Sequence, residues 1–239
     1  MEIVWKNLFD AQSESRYNKT MKNLTTIFIG VLAIAGIALA GTSSVTGKLI
    51  ALDAGHGGTE IGAYNSAHQV AEKDVNLAVV LALKTKLEAD GAIVVLTREA
   101  DETLPSRKER VDLAIQKCNQ AAGRKCDILL SVHHNGSTDP NHDGTLVVYN
   151  EKKDIPLATA LHDALIAGLR LPDEGYLHGG YGMTVYGNLV SALTEAYYIT
   201  NDTEARLYLA GTRAPQEVDA LYNGLVKYFS GGGGKPRGR

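Results

Sequence analysis

Apolar positions along this chain fall into two kinds of stretch. Short runs dominated by aliphatic and β-branched residues predict strands at Lys48–Asp53, Ala92–Thr97 (AIVVLT), Asp127–His133 (DILLSVH), Thr145–Tyr149 (TLVVY) and Leu189–Glu195. Between them apolar residues recur at three- and four-residue steps, the period of an amphipathic helix. The first such stretch follows Lys73 with Val75, Ala78, Val79, Ala82, Leu83 and Leu87; the second carries Val111, Ala114, Ile115 and Cys118. Pro156–Leu169 presents Ala158, Leu161, Leu165 and Leu169, and Pro215–Phe229 presents Val218, Leu221, Tyr222, Leu225, Val226 and Phe229. Boundary residues agree: Asp74 near the start and Gly91 beyond the end of the first helix, Pro105 in the first turn of the second and Gly123 at its end. Thr59–Val70, Asn135–Gly144 and Pro172–Gly187 read as loops, the last covering a site. Strands alternating with helices predict an α/β fold: a single domain with a largely parallel mixed sheet and helices on both faces.

That pattern leaves two ends outside the domain, residues 1–47 before it and 230–239 after it. Leu24–Ala40 carries no charge, follows Met21-Lys22 and ends in Ala38-Leu39-Ala40, a small-x-small sequence of the kind that signal peptidases cut. Two readings stand: a cleaved signal peptide with Met21 as the start, or a retained membrane anchor with Met1–Thr20 inside the cell. Either predicts export, with the protein secreted, periplasmic or held at the cell envelope. Ser230–Arg239 (SGGGGKPRGR) reads as a flexible basic tail.

A net charge of -3 and the lack of a basic stripe argue against nucleic-acid binding. Cys118 and Cys126 are the only cysteines. An oxidising compartment allows a bridge between them, two reduced thiols being the alternative. No second pair stands near enough to make a zinc finger. Nothing in the pattern repeats, and a monomer is expected.

Candidate chemistry sits at the ends of the predicted elements. LIALDAGHGG delivers His56 from the first strand into a glycine-rich turn, where open α/β folds bind ligands. Glu72 starts the first helix, His133 ends DILLSVH, and Glu195 ends the last strand. Two imidazoles and a carboxylate, with a fourth position for water, form a His₂Glu zinc set, and a second glutamate suits the role of base. Read from the residues alone, scattered surface histidines and capping glutamates are the other account. Alternation along a strand puts His133 and Asn135 on one face and turns His134 away into a structural role. Asp53 is read either as an acceptor for a ligand imidazole or as a cap of the turn. Ser131 and Asn135 are further candidates around the ligands. His178 reads as a surface residue, while Tyr181 and Tyr186 either stack on substrate or pack.

Four blocks in order resemble the zinc-dependent N-acetylmuramoyl-L-alanine amidases of the amidase 3 type, over roughly Lys48–Phe229. LDAGHGGTEIGA is similar to the family's LDPGHGGxDxGA; AEKDVNLAVVLALKTKLEADGAIVVLTREAD, CDILLSVHHNG and LTEAYYITNDTEARLY match its later segments. The resemblance implies one Zn²⁺ ion on His56, Glu72 and His133, with Glu195 as catalytic residue. It implies peptidoglycan as substrate, cut between the lactyl group of N-acetylmuramic acid and L-alanine. Ala54 in place of proline, His134 in place of a small residue, and Ala196-Tyr197-Tyr198 depart from the family pattern. A zinc hydrolase of another cell-wall amide and an inactive wall-binding module are the competing expectations.

Overall fold

A computed structural model describes residues 43–180 and 182–231. The apolar run 24–40, Tyr181 and most of the basic tail lie outside these residues. Among the described residues, no helix is long and apolar enough to cross a membrane.

The main elements are β1 (Leu49–Ala54), a two-residue hairpin of β2 (Tyr64–Asn65) and β3 (Val70–Ala71), α1 (Glu72–Ala89), β4 (Ile93–Leu96), α2 (Arg107–Ala122), β5 (Ile128–Asn135) and β6 (Thr145–Tyr149). Then follow α3 (Ile155–Leu169), β7 (Asp173–His178), a 3₁₀ turn at Gly182–Val185, β8 (Ser191–Tyr198), α4 (Asp202–Leu209) and α5 (Arg213–Ser230). Six strands form one sheet in the order β4-β1-β5-β8-β6-β7. Every neighbouring pair is parallel except β6 and β8. The α/β class and the mixed, mostly parallel sheet are therefore as expected.

Alternation along the central strands separates two cores. Ile50, Leu52 and Ala54 of β1 and Ile128, Leu130 and Val132 of β5 pack against α1, α3 and α5. Leu49, Ala51 and Leu129 face the other way, onto Val111, Ala114 and Cys118 of α2. One face thus carries three helices and the other a single one. Beyond α2, among the described residues, the 3₁₀ turn Gly182–Val185 packs on the second face of β8, and Leu146 and Val148 of β6 with Leu193 of β8 line a cleft there. Cys118 and Cys126 are joined in a disulfide that ties α2 to the strand leading into β5.

Several boundaries differ from the sequence expectation. Pro105 precedes α2, whose N-cap is Ser106, accepting from the Glu109 N–H. Within the expected loop Pro172–Gly187, β7 forms an edge strand. It pairs only with β6 and leaves most of its residues exposed, so no buried period marks it. The short α4 has no counterpart in the sequence pattern; Asn201 caps it by accepting from the N–H groups of Thr203 and Glu204.

Candidate metal centre

His56, Glu72 and His133 meet at the carboxyl ends of β1 and β5 and the start of α1, with one donor atom from each within 4.8 Å of the others. The register explains the meeting. β1 and β5 run parallel with Ala54 opposite Val132, so Gly55 and His56 emerge beside His133. The His56 and His133 rings stand edge to face, 4.9 Å apart.

Glu72 lies between them, almost fully buried. His56 Nε2 is 3.1 Å from its Oε2 and His133 Nδ1 3.0 Å from its Oε1. The carboxylate also accepts from the Ala63 N–H (2.8 Å), the His134 N–H (3.1 Å) and Asn76 Nδ2 (3.2 Å). Burial pushes its pKa up, but the hydrogen bonds and charges of His133 and His56 outweigh burial and hold it far below the ordinary range. The loop before α1 creates the pocket: the N–H groups of Glu72 and Lys73, which begin the helix, donate to the carbonyls of Ala63 and Ile61.

Glycine is required where the loop crosses these side chains. A Cβ on Gly55 would collide with the His133 ring. One on Gly62, whose φ is +69°, would collide with Glu72 Oε2 and lie 2.7 Å from His56 Cδ2. At these two positions the loop leaves no space for a side chain against the donors, while His56 and His133 stay open to the cleft. Two imidazoles and a carboxylate so held are the donor set that zinc takes in hydrolytic sites.

His56 itself adopts φ 59°, a left-handed conformation that is uncommon outside glycine. Two buried arginines hold it there. Arg98 donates to the carbonyls of Ala54 and Gly55 (both 2.9 Å), and Arg110 to those of Ala54 (3.0 Å) and His56. Asp53 takes neither role expected of it. It accepts from Arg110 Nη1 (3.0 Å), Thr97 Oγ1 (2.6 Å) and Ser131 Oγ (2.7 Å), so it serves as counter-ion to the arginine. Burial raises the Asp53 pKa, and Arg110 with the two hydroxyls brings it below the ordinary value. Ser131 is committed to Asp53. These arginines had no sequence signal, because an arginine beside a strand or in a helix ordinarily faces water.

Glu195 arrives by strand order. β8, late in the sequence, inserts beside β5, and the register pairs His133 with Glu195. Both face the cleft, a cavity of about 740 Å³. Leu146, Val148, Leu177, Met183 and Leu193 form its apolar wall, and Arg107, Lys108 and Glu60 stand at its charged flank. Burial, together with the Glu72 charge, pushes the Glu195 pKa up to about 7, against the lowering effect of His133. Its Oε2 is buried without a hydrogen-bond partner.

The remaining candidates divide. His134 is 1% exposed and turned to the opposite face, bonded to Asn76 and Glu217. Asn135 borders the cleft and accepts from the Gly136 N–H. Tyr186 lines the cleft as well. His178 is exposed and hydrogen-bonded to the Asn150 carbonyl (3.0 Å), as a surface residue would be.

An α/β sheet that carries a His–Glu–His cluster with a perturbed carboxyl beside it has the donor set and the acid–base group of a metal-dependent hydrolase. Comparison with known proteins makes the class specific. Residues 50–227 match the family model of the N-acetylmuramoyl-L-alanine amidases, and the chain belongs to that family, a family of zinc-dependent amidohydrolases that act on cell walls. It is 33% identical over 192 residues to N-acetylmuramoyl-L-alanine amidase LytC of Bacillus subtilis, covering 77% of this chain and 36% of LytC. The germination-specific N-acetylmuramoyl-L-alanine amidase of the same organism is 29% identical over 205 residues, covering 80% and 84%. The solved catalytic domain of CwlV, an N-acetylmuramoyl-L-alanine amidase from Bacillus (Paenibacillus) polymyxa var. colistinus, superposes with a TM-score of 0.68 at 26% identity. That match covers 77% of this chain and 98% of the CwlV domain.

Proposed function

We propose that this chain hydrolyses the amide between the lactyl group of N-acetylmuramic acid and L-alanine of the stem peptide. In this reading His56, Glu72 and His133 hold one zinc ion, and Glu195 is the catalytic acid and base. The observation that supports it most directly is the three-donor cluster with a raised carboxyl beside it.

When bound, zinc supplies a Lewis acid for the carbonyl oxygen and makes water acidic near neutrality. The chain's own residues do the rest. Glu195, with a pKa of about 7 and a free Oε2, takes the proton of the attacking water and passes it to the leaving nitrogen of L-alanine. Gly55 and Gly62 keep the floor bare, and the Arg98 and Arg110 contacts fix the loop that carries His56. The apolar wall at Leu146, Val148 and Leu193 lowers the dielectric around the reacting amide.

Export follows from the same reading. The Cys118–Cys126 disulfide fits an oxidising, extracytoplasmic compartment, and the apolar segment 24–40 acts as signal or anchor. We propose a monomer acting on peptidoglycan.

The test is metal analysis and product analysis on the full chain with purified peptidoglycan. The expected result is one zinc per chain and released stem peptides with a newly free L-alanine amine. A newly free amine at another residue would assign a peptidase. Stoichiometric wall binding without release would assign an inert binding module.

A further inference from the structure

Behind the metal cradle, on the face of the sheet opposite the cleft, lies a polar chain buried in the largest apolar core of the described residues. Its first member is Glu217 on α5, fully buried, whose Oε2 sits 2.8 Å from His134 Nε2. The other ring nitrogen, Nδ1, is 2.7 Å from Asn76 Oδ1. Asn76 is likewise fully buried, and its Nδ2 reaches Glu72 Oε1 at 3.2 Å and the Gly55 carbonyl at 3.1 Å.

The direction of these bonds is set by chemistry. Both neighbours of Asn76 Nδ2 are acceptors only, so the amide oxygen must face His134, and His134 Nδ1 must donate to it. Nε2 and the Glu217 carboxylate then share the remaining proton. Asn76 therefore touches all three segments that carry the donor set: α1 through Glu72, the loop after β1 through Gly55, and β5 through His134, the neighbour of His133. The same His134 supplies a backbone N–H to Glu72 Oε1.

Packing alone does not account for this arrangement. Removing charged groups from water costs several kcal/mol per ion, and well-packed apolar residues at such sites are often as stable or more so. A buried Glu–His–Asn chain that ends on a metal-binding carboxylate has the form of an outer shell that orients ligands.

We propose that Glu217 is a positioning residue for the metal set, acting through His134 and Asn76 on Glu72 and on the loop of His56. The proposal rests on the reading of His56, Glu72 and His133 as zinc ligands. Glu217 fixes the His134 ring, the ring fixes the rotamer of Asn76, and Asn76 holds Glu72 Oε1 and Gly55 at one spacing. Without Glu217 the ring is free to turn, and Asn76 loses the partner that orients its amide.

The experiment is a double-mutant cycle on the full chain, read as zinc affinity by competition with a chromophoric chelator. Glu217→Met and Asn76→Ala each weaken zinc binding about 10- to 100-fold. The double variant binds as weakly as Asn76→Ala alone, because both changes break one chain. Glu217→Gln, whose amide N–H can donate to His134 Nε2 and so keeps a hydrogen-bond partner for the ring, stays within about threefold of wild type on that account. Thermal unfolding of the zinc-free proteins is recorded beside it, since a purely structural role lowers the melting temperature without moving zinc affinity in the folded fraction. If Glu217→Met does not fold, Glu217→Asp replaces it in the cycle, with the acceptor drawn back by one methylene. Unchanged zinc affinity in folded Glu217→Met, or in the Glu217→Asp that replaces it, or losses that multiply in the double variant, overturns the proposal. Failure of the wild-type chain to bind zinc would instead overturn the assignment of the metal set.

Discussion

Glu195 gives a prediction in which stability and activity move in opposite directions. Burial and the Glu72 charge raise its pKa from 4.5 to about 7 in the folded, metal-free protein. A raised carboxyl contributes stability below its unfolded pKa and loses it as pH climbs through the folded value. The span is about 2.5 units, and at 1.36 kcal/mol per unit it comes to about 3 kcal/mol, fully lost by about pH 8. Glu195→Gln is isosteric and does not titrate. The zinc-free variant should therefore be more stable than wild type by about 3 kcal/mol at pH 8, and by less than about 1 kcal/mol at pH 5. Urea unfolding of both proteins in a strong chelator at the two pH values measures the difference. Turnover of peptidoglycan by the zinc-loaded variant should fall about 10²- to 10⁴-fold, the ordinary contribution of a general base. A stability gain that is equal at pH 5 and pH 8 would refute the electrostatic account. Wild-type turnover in the variant would refute the assigned role.

Other consequences are open to simpler measurements. Gly62→Ala places a methyl group against Glu72 Oε2 and His56 Cδ2 at a φ of +69°, so zinc retention on dialysis should drop at least 10-fold, a loss of the size seen when ligand orientation is disturbed. Asp53→Ala strips the buried Arg110 of its counter-ion and should cost about 3–5 kcal/mol in denaturant unfolding. A loss under 1 kcal/mol would mean that Arg110 finds water instead. Cys118→Ser/Cys126→Ser opens a loop of sequence separation 8 and should cost about 2–3 kcal/mol by loop entropy, with zinc affinity unchanged.

Elements that bury a continuous stripe were legible along the chain. β1, β4, β5, β6, β8 and the four longer helices follow from apolar spacing, because burying one face forces that period on the residues. β7 and α4 were not, since an edge strand pairs on one side only and an eight-residue helix has too few turns to show a stripe. Of the candidate site, the residue types are legible, as is the placing of His56 after a strand and Glu72 at a helix start. His133 and Glu195 lie inside β5 and β8 rather than at their ends, and the family resemblance puts the four in one set. Their convergence could not be read from local pattern. His56 and His133 lie together because β1 and β5 are neighbours in register, and Glu195 joins them because β8 inserts between β5 and β6. Strand order depends on which faces the helices cover, and the spacing of residues within one segment carries no record of that.

The same distinction separates Asp53 and His134 from the ligands. The sequence marks His134 as a structural residue facing away and Asp53 as an acceptor for a ligand imidazole or a cap of the turn. Which partner each takes is decided by side chains distant in sequence, Glu217 for one and Arg110 for the other. A local pattern records whether a position is buried. Which polar group meets it there depends on the packing of whole elements, and only the folded chain holds that information.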